Sequence, residues 1–259
     1  MKSKIGVKTM VLCGLFIAAA IILRIFSLMI PIGGAGAMRI SLSGIFIKMP
    51  AVIFGGTIGG AVAGIVDILA YIIKPMGGYI PFLTLTSILD GILVAIIWSK
   101  IKNIDIRKIE KLYPIFFIIL GAIAGAAHIG ILSGNKSFLH VAMSLLGKKY
   151  MYVITAIEII TIVALIIFII NIKLKQNNTI KHIYEDYMKL IIAFGTSGII
   201  VSTLNTYILL MFIPALHGKA FMMLWIPRIV EEIFMIVLES YIVALLLRVY
   251  DSLGLKTSN

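Results

Sequence analysis

Charge is scarce in this chain, and acid scarcest of all. Of 259 residues only 13% are charged, with 11 Asp or Glu against 23 Lys or Arg. A water-soluble domain carries about 25% charged and about 45–50% apolar residues. Here 61% are hydrophobic and the mean hydropathy is +1.12, which excludes an ordinary soluble fold. Cysteine occurs once, as Cys13 inside the first apolar run. No internal disulfide is available, and a lone buried thiol packs as a small hydrophobe. Alternating strands of about ten residues are missing, which excludes a membrane β-barrel. Catalytic signatures are missing too. No G-x-x-x-x-G-K-[ST], G-x-S-x-G or H-E-x-x-H occurs. His128, His140, His182 and His217 are scattered, so metal ligation is not expected. Glu231-Glu232 suggests an EExxxR protease pattern, but Ile236 stands where the arginine is needed. Enzyme chemistry has no visible machinery, and no cofactor or metal is expected.

What is present is a series of apolar runs, each of roughly 20 residues, enough to cross a hydrocarbon core of about 30 Å. They predict an all-α polytopic membrane bundle of about eight helices in one membrane domain, 1–259. The expected helices cover about Val7–Ile30, Ser43–Phe54, Thr57–Ile73, Pro81–Trp98, Tyr113–Leu132, Tyr150–Ile172, Leu190–Ile213 and Ala220–Val249. Between them lie basic segments 99–111 and 173–189, and a polar loop, Ser133–Lys149, with one amphipathic turn. The first apolar run, from Thr9 to Ile30, exceeds the about 7–15 residues of a signal-peptide core, so it reads as a retained helix. The net charge of +12 suggests nucleic acid at first sight, but topology accounts for it better. With the N-terminus inside, cytoplasmic segments hold 14 Lys or Arg and external loops six. That bias favours N-in, C-in, with the lipid bilayer and not nucleic acid as the surrounding partner.

The stretch Met38–Gly91 is almost wholly apolar, yet it holds Arg39, Lys48, Asp67, Lys74 and Asp90. Charges within a membrane are costly and mark functional sites by default. Asp67 and Asp90 are expected to pair with Lys48 or Lys74. Arg24, Arg39 and Arg228 gather at the outer side, where arginine forks suit a carboxylate. An anionic solute is the expected guest, although snorkelling of Arg24 and pairing of Arg228 with Glu231 and Glu232 are open alternatives. Tyr79, Pro81 and Phe82 form an aromatic lip that either anchors at the interface or stacks on a planar ring. Asn205-Thr206 sits in an apolar helix and needs a polar partner, protein or ligand. Gly56, Gly60 and Gly64, with Gly55, Gly59 and Ala63, form small-residue ridges suited to close helix packing or to a partner. Gly14 and Ala18 make another such pair.

In order and spacing, "LCGLFIAAAIILR" (12–24), "MRISLSGIFIKMPAVIFGGTIGGAVAGIVDIL" (38–69), "GGYIPFLTLTSILDGIL" (77–93), "TLNTYILL" (203–210) and "HGKAFMMLWIPRIVEEIFMIVLESYIVALLL" (217–247) resemble the substrate-binding S component of energy-coupling factor (ECF) transporters, most of all its folate branch. The resemblance implies a six-helix fold that binds a vitamin, here folate or a related anionic pterin, from outside. It also implies docking on a transmembrane coupling subunit with two ATPase subunits, which bind the ATP in place of this chain. Gly14 and Ala18 match the docking motif. Arg24, Arg39, Tyr79, Pro81, Phe82, Thr84, Asn205, Thr206 and Arg228 fall at the expected pocket. The chain departs from the family in the region 99–189, which reads as an insertion carrying two extra helices. It separates the first four core helices (1–98) from the last two (190–259). An S component for another vitamin, or a self-sufficient secondary carrier, is the alternative expectation.

Overall fold

The computed structural model describes residues 6–32, 35–75, 77–174 and 178–254, with the side chains at 29–39, 148, 174 and 178–180 left undescribed. Among the described residues are nine α-helices and one β-hairpin. α1 (Val7–Ile25) leads into β1 (Leu28–Ile32) and β2 (Ala35–Ile40). Then follow α2 (Gly44–Phe54), α3 (Gly56–Ile73), α4 (Pro81–Ile101), α5 (Ile106–Leu132), α6 (Lys136–Leu146), α7 (Tyr150–Leu174), α8 (Asn178–Phe212) and α9 (Phe221–Ser252). Seven of these, all but α2 and α6, are long and apolar enough to cross a membrane. The protein is an all-α polytopic membrane protein carrying this one small hairpin.

Where about eight membrane-crossing helices are expected, the described residues hold nine helices, of which seven are long and apolar enough to cross. The polar stretch taken as a loop holds α6, started by Asn135, whose side chain accepts the Ser137 amide at 3.0 Å. Residues expected to continue the first helix form β1 instead, with Leu28 opposite Ile40 and Met29 opposite Arg39. α1 ends at Ile25 in a tight last turn, where the Ser27 amide donates to the Arg24 carbonyl at 3.2 Å. The two basic segments are largely helical extensions. Asp105 caps α5 by accepting the Arg107 amide at 3.0 Å. The added turns of α8 bury Tyr184, Tyr187 and Met188 completely, at the i, i+3, i+4 spacing of one helix face.

That buried cluster braces the end of the bundle where α5 and α8 begin. The Tyr113 hydroxyl donates to the Ala164 carbonyl at 3.2 Å. Its single hydrogen is then used, so Tyr187 donates in the 3.0 Å bond between the two phenols. α5 and α7 pack mainly on each other, joined by His128 Nδ1 and Glu158 Oε1 at 2.9 Å.

Glycine sets the geometry of the other half. Gly55, with φ +88°, breaks the chain between α2 and α3, a conformation that side chains with a Cβ resist. Past the break α3 folds back, and Gly59 lies against Ala51. The Gly56, Gly60, Gly64 ridge faces Ile88 and Ile92 of α4, so it is internal packing. A Cβ on Gly91 would stand 2.6 Å from the Gly59 backbone. Backbone cannot give way there as a flexible side chain would. Gly91→Ala is therefore expected to destabilise the fold by about 1–3 kcal/mol, read as a lowered thermal midpoint in detergent. Gly14→Ala, where a Cβ meets nothing within 4 Å, is expected to cause no loss.

Candidate binding cavity

Polar residues at helical spacing converge on one end of the bundle. α9 contributes Arg228, Glu231, Glu232, Met235 and Glu239, a single stripe at i, i+3, i+4, i+7 and i+11. α8 contributes Gly198, Ser202, Asn205 and Phe212, α4 contributes Ser87 and Asp90, and α3 contributes Asp67. α2 contributes Lys48, and α1 contributes Arg24. With the turns Gly77–Ile80 and Ile213–Pro214 they enclose a cavity of about 1010 Å³. That is the upper end of the roughly 300–1,000 Å³ of small-molecule pockets. No lining residue comes from α5, α6 or α7.

The cavity is closed at depth by a buried ion pair. Lys48 Nζ lies 2.9 Å from Glu239 Oε2 and 3.8 Å from Glu232 Oε1. Lys48 and Glu239 are 6% and 3% exposed, so both charges have left water. The ammonium also stands 5.1 Å from the centre of the Phe194 ring, a cation–π distance. Two glycines make room for the acids. A Cβ on Gly44 would overlap the Glu239 carboxylate, and one on Gly198 would overlap that of Glu232.

Nearer the hairpin, a second network ties four segments together. Arg24 Nη2 is paired with Asp67 Oδ1. The Thr84 hydroxyl donates to Asp67 Oδ2 at 2.7 Å. Since that hydroxyl has one hydrogen, Tyr79 donates in its 2.8 Å bond with Thr84. The Tyr79 ring rests on Tyr71, with centroids 4.9 Å apart. Across the cavity, the Thr86 hydroxyl donates to Asn205 Oδ1, and the Ser197 hydroxyl donates to Asp90 Oδ1.

The structure brings Arg24, Tyr79, Asn205 and Arg228 to the cavity. Thr84 lies buried behind it, holding Asp67 and Tyr79. Thr206 is also fully buried and donates back to the Ser202 carbonyl. Pro81 is the first residue of α4, and Phe82 is half exposed against Phe212, with ring centroids 5.3 Å apart. Arg39 stands in β2, and its side chain lies outside the described residues. Gly14 and Ala18 lie exposed on α1. The expected pairings are corrected. Asp67 takes Arg24, Lys48 takes Glu239 and Glu232, and Lys74 Nζ donates to the Ile25 carbonyl at 2.8 Å. Glu239 was not anticipated. Its signal was the spacing, since it continues the α9 stripe one further turn beyond Met235. Among the described residues no group of His, Cys, Asp and Glu is placed to hold a metal ion.

A family model described as ECF-type riboflavin transporter, S component, matches residues 4–174. No curated protein and no solved structure matches the chain. The expected folate branch is overturned by this match. The physical reason is visible in the cavity. Arg24, counted as a fork for an anionic tail, is already paired with Asp67, and Arg228 has Glu231 and Glu232 one turn on along the same helix. Three cations and five carboxylates line the cavity, which is not an anion clamp.

The Lys48 pair carries its own expectation. Removing one partner of a buried pair leaves an uncompensated charge and costs roughly 3–5 kcal/mol. Lys48→Met should destabilise by that order in thermal unfolding. Adding Glu239→Leu to Lys48→Met should recover a large part of the loss, because the stranded carboxylate is then gone as well.

Proposed function

We propose that this chain, which belongs to the family of ECF-type riboflavin transporter S components, binds riboflavin in the cavity described above. It is a multi-pass cell-membrane transport protein, the substrate-binding S component of an ECF transporter, and not an enzyme. The observation that carries the choice of riboflavin is the family match over residues 4–174. The cavity's chemistry supports it. Riboflavin is neutral, with a planar tricyclic ring and a polyhydroxy tail. Tyr79 and Phe212 supply aromatic faces near the hairpin end, where offset ring contacts are favourable. The carboxylates of α9 and α4 supply acceptors for hydroxyl donors.

The same reading sets orientation and partners. With the N-terminus inside, the cavity end carrying the hairpin faces outward, in keeping with the 14-to-6 distribution of cationic residues. A coupling subunit and two ATPases complete the importer and bind the ATP. Gly14 and Ala18 form the docking face on α1, and their exposure, with no atom within 4 Å of a Cβ built at Gly14, suits close approach of a partner helix. The core consists of α1–α4, α8 and α9, and the segment 99–189 is an insertion. The cavity lining supports this division, since α5–α7 contribute nothing to it. The matched stretch ends with α7, so the walls supplied by α8 and α9 lie beyond it.

The purified chain alone, without ATP, is expected to bind riboflavin with quenching of flavin fluorescence. Mass spectrometry of the released small molecule should identify the same flavin. Failure of riboflavin to bind in equilibrium dialysis would sink the proposal. Separately, Gly14→Leu with Ala18→Leu should abolish co-purification of the coupling subunit and ATPases while riboflavin binding persists. If those subunits co-purify regardless, the docking face is elsewhere.

A further inference from the structure

α5 and α7 contribute nothing to the cavity, yet together they present a patterned outer surface. Three contacts climb α5 as they descend α7, Tyr113 with Ala164, Gly121 with Thr161 and His128 with Glu158, so the two helices are antiparallel. On α5 the exposed residues Lys111, Ile115 and Ile118 follow at i, i+4 and i+7, which sets them on one face. Counted back from the end of α7, exposed Lys173, Ile169 and Ile166 repeat that spacing. Lys111 and Lys173 lie about 15 and 18 Å along their helices from the Gly121–Thr161 contact, so they stand at one level. Lys111 is turned about 80° from Gly121, and Lys173 about 120° from Thr161, in the same helical sense. In an antiparallel pair equal senses lead to the same side. The two columns therefore flank one groove, with Arg107, one turn before Lys111 and also exposed, at its basic end.

We infer that the groove between α5 and α7 is a seat for an anionic phospholipid of the cytoplasmic leaflet. Arg107, Lys111 and Lys173 hold the phosphate, and the isoleucines below receive the acyl chains. Among the described residues these three cations take part in no salt bridge. The carboxylates at the start of α5 are engaged elsewhere. Asp105 accepts the Arg107 amide at 3.0 Å, and Glu110 accepts the Tyr184 hydroxyl of α8 at 3.2 Å. Both helices are long and apolar enough to cross the membrane, and the N-in threading places their basic ends at the cytoplasmic surface, where anionic headgroups attract Lys and Arg. From Lys173 to the exposed Ile162 is eleven residues, about 16 Å of helix. That is one leaflet's share of a hydrocarbon core of about 30 Å. A headgroup at the cations thus lays its chains along the isoleucines as far as the midplane. A free phosphate would leave that apolar column uncovered, so the occupant is a lipid. The inference goes beyond the riboflavin reading and needs only the membrane orientation.

The test reconstitutes the full chain in nanodiscs of phosphatidylcholine and phosphatidylglycerol in equal parts and identifies the lipid retained on release by native mass spectrometry. One phosphatidylglycerol per chain is expected, favoured over the uncharged lipid by at least about tenfold, and the preference should fall as salt is raised. Arg107→Gln, Lys111→Gln and Lys173→Gln together should cut it to about twofold or less. Lys100→Gln, Lys102→Gln and Arg248→Gln, which remove the same charge elsewhere at that end of the bundle, should keep it. No preference in the unaltered protein, or one indifferent to salt, overturns the seat without any variant having to fold. Equal losses in the two triple variants assign the attraction to overall surface charge and overturn it as well. Riboflavin binding is not read, so each of these failures leaves the reading of the cavity standing.

Discussion

The ion pair of Lys48 with Glu239 and Glu232 is the constraint on which the cavity half of the molecule depends. An isolated charge inside a membrane protein costs several kcal/mol. The pair joins α2 to α9 across 191 residues of sequence, so α9 must stand beside a helix only 11 residues long. Gly44 and Gly198 are required for the same reason, because each carboxylate occupies the volume a side chain would fill. Once α9 is placed, its polar stripe faces inward, and α8 and α4 enclose the remaining walls.

The same economy governs the outer network. Arg24, Asp67, Thr84 and Tyr79 form one connected series from α1 through α3 and α4 to the turn between them. Every hydroxyl in it has a defined direction, because a carboxylate at one end accepts only. A connected series of this kind orients Tyr79 over the cavity while it neutralises the cation on α1. Structural pairing and ligand-facing geometry are therefore the same atoms. This is why charges read as free to bind a solute turn out to be matched inside the protein.

Much of the fold was legible. Hydropathy is a local property summed over a window, so the apolar runs and the membrane class could be read directly, whereas the S-component class rested on a resemblance of particular segments whose folate branch the riboflavin family match overturns. The glycine ridge on α3 was legible as close packing, because only spacing is needed to place it on one face. The extents were less so. The added turns of α5 and α8 are polar by composition, yet Tyr184 and Tyr187 are drawn into a buried cluster with Tyr113. No window over 173–189 contains the reason, since Tyr113 lies 74 residues from Tyr187. Helix α6 was hidden in a polar stretch that its Asn135 cap organises.

The amino-acid sequence by itself determined that the chain lives in a membrane, that its charges collect at loops and at one end, and that glycine lets α3 approach its neighbours. It also carried four cavity residues, Arg24, Tyr79, Asn205 and Arg228. Only the tertiary structure decided which acid neutralises which base. Coulomb energy depends on distance between helices and not on distance along the chain. From the sequence, the arginines suggested an anionic guest. In the folded protein Asp67 answers Arg24 from 43 residues away, Glu239 enters from the far end of α9, and the cavity becomes acid-rich. The change of sign is a consequence of packing, because the carboxylates that answer the arginine and the lysine come from other helices.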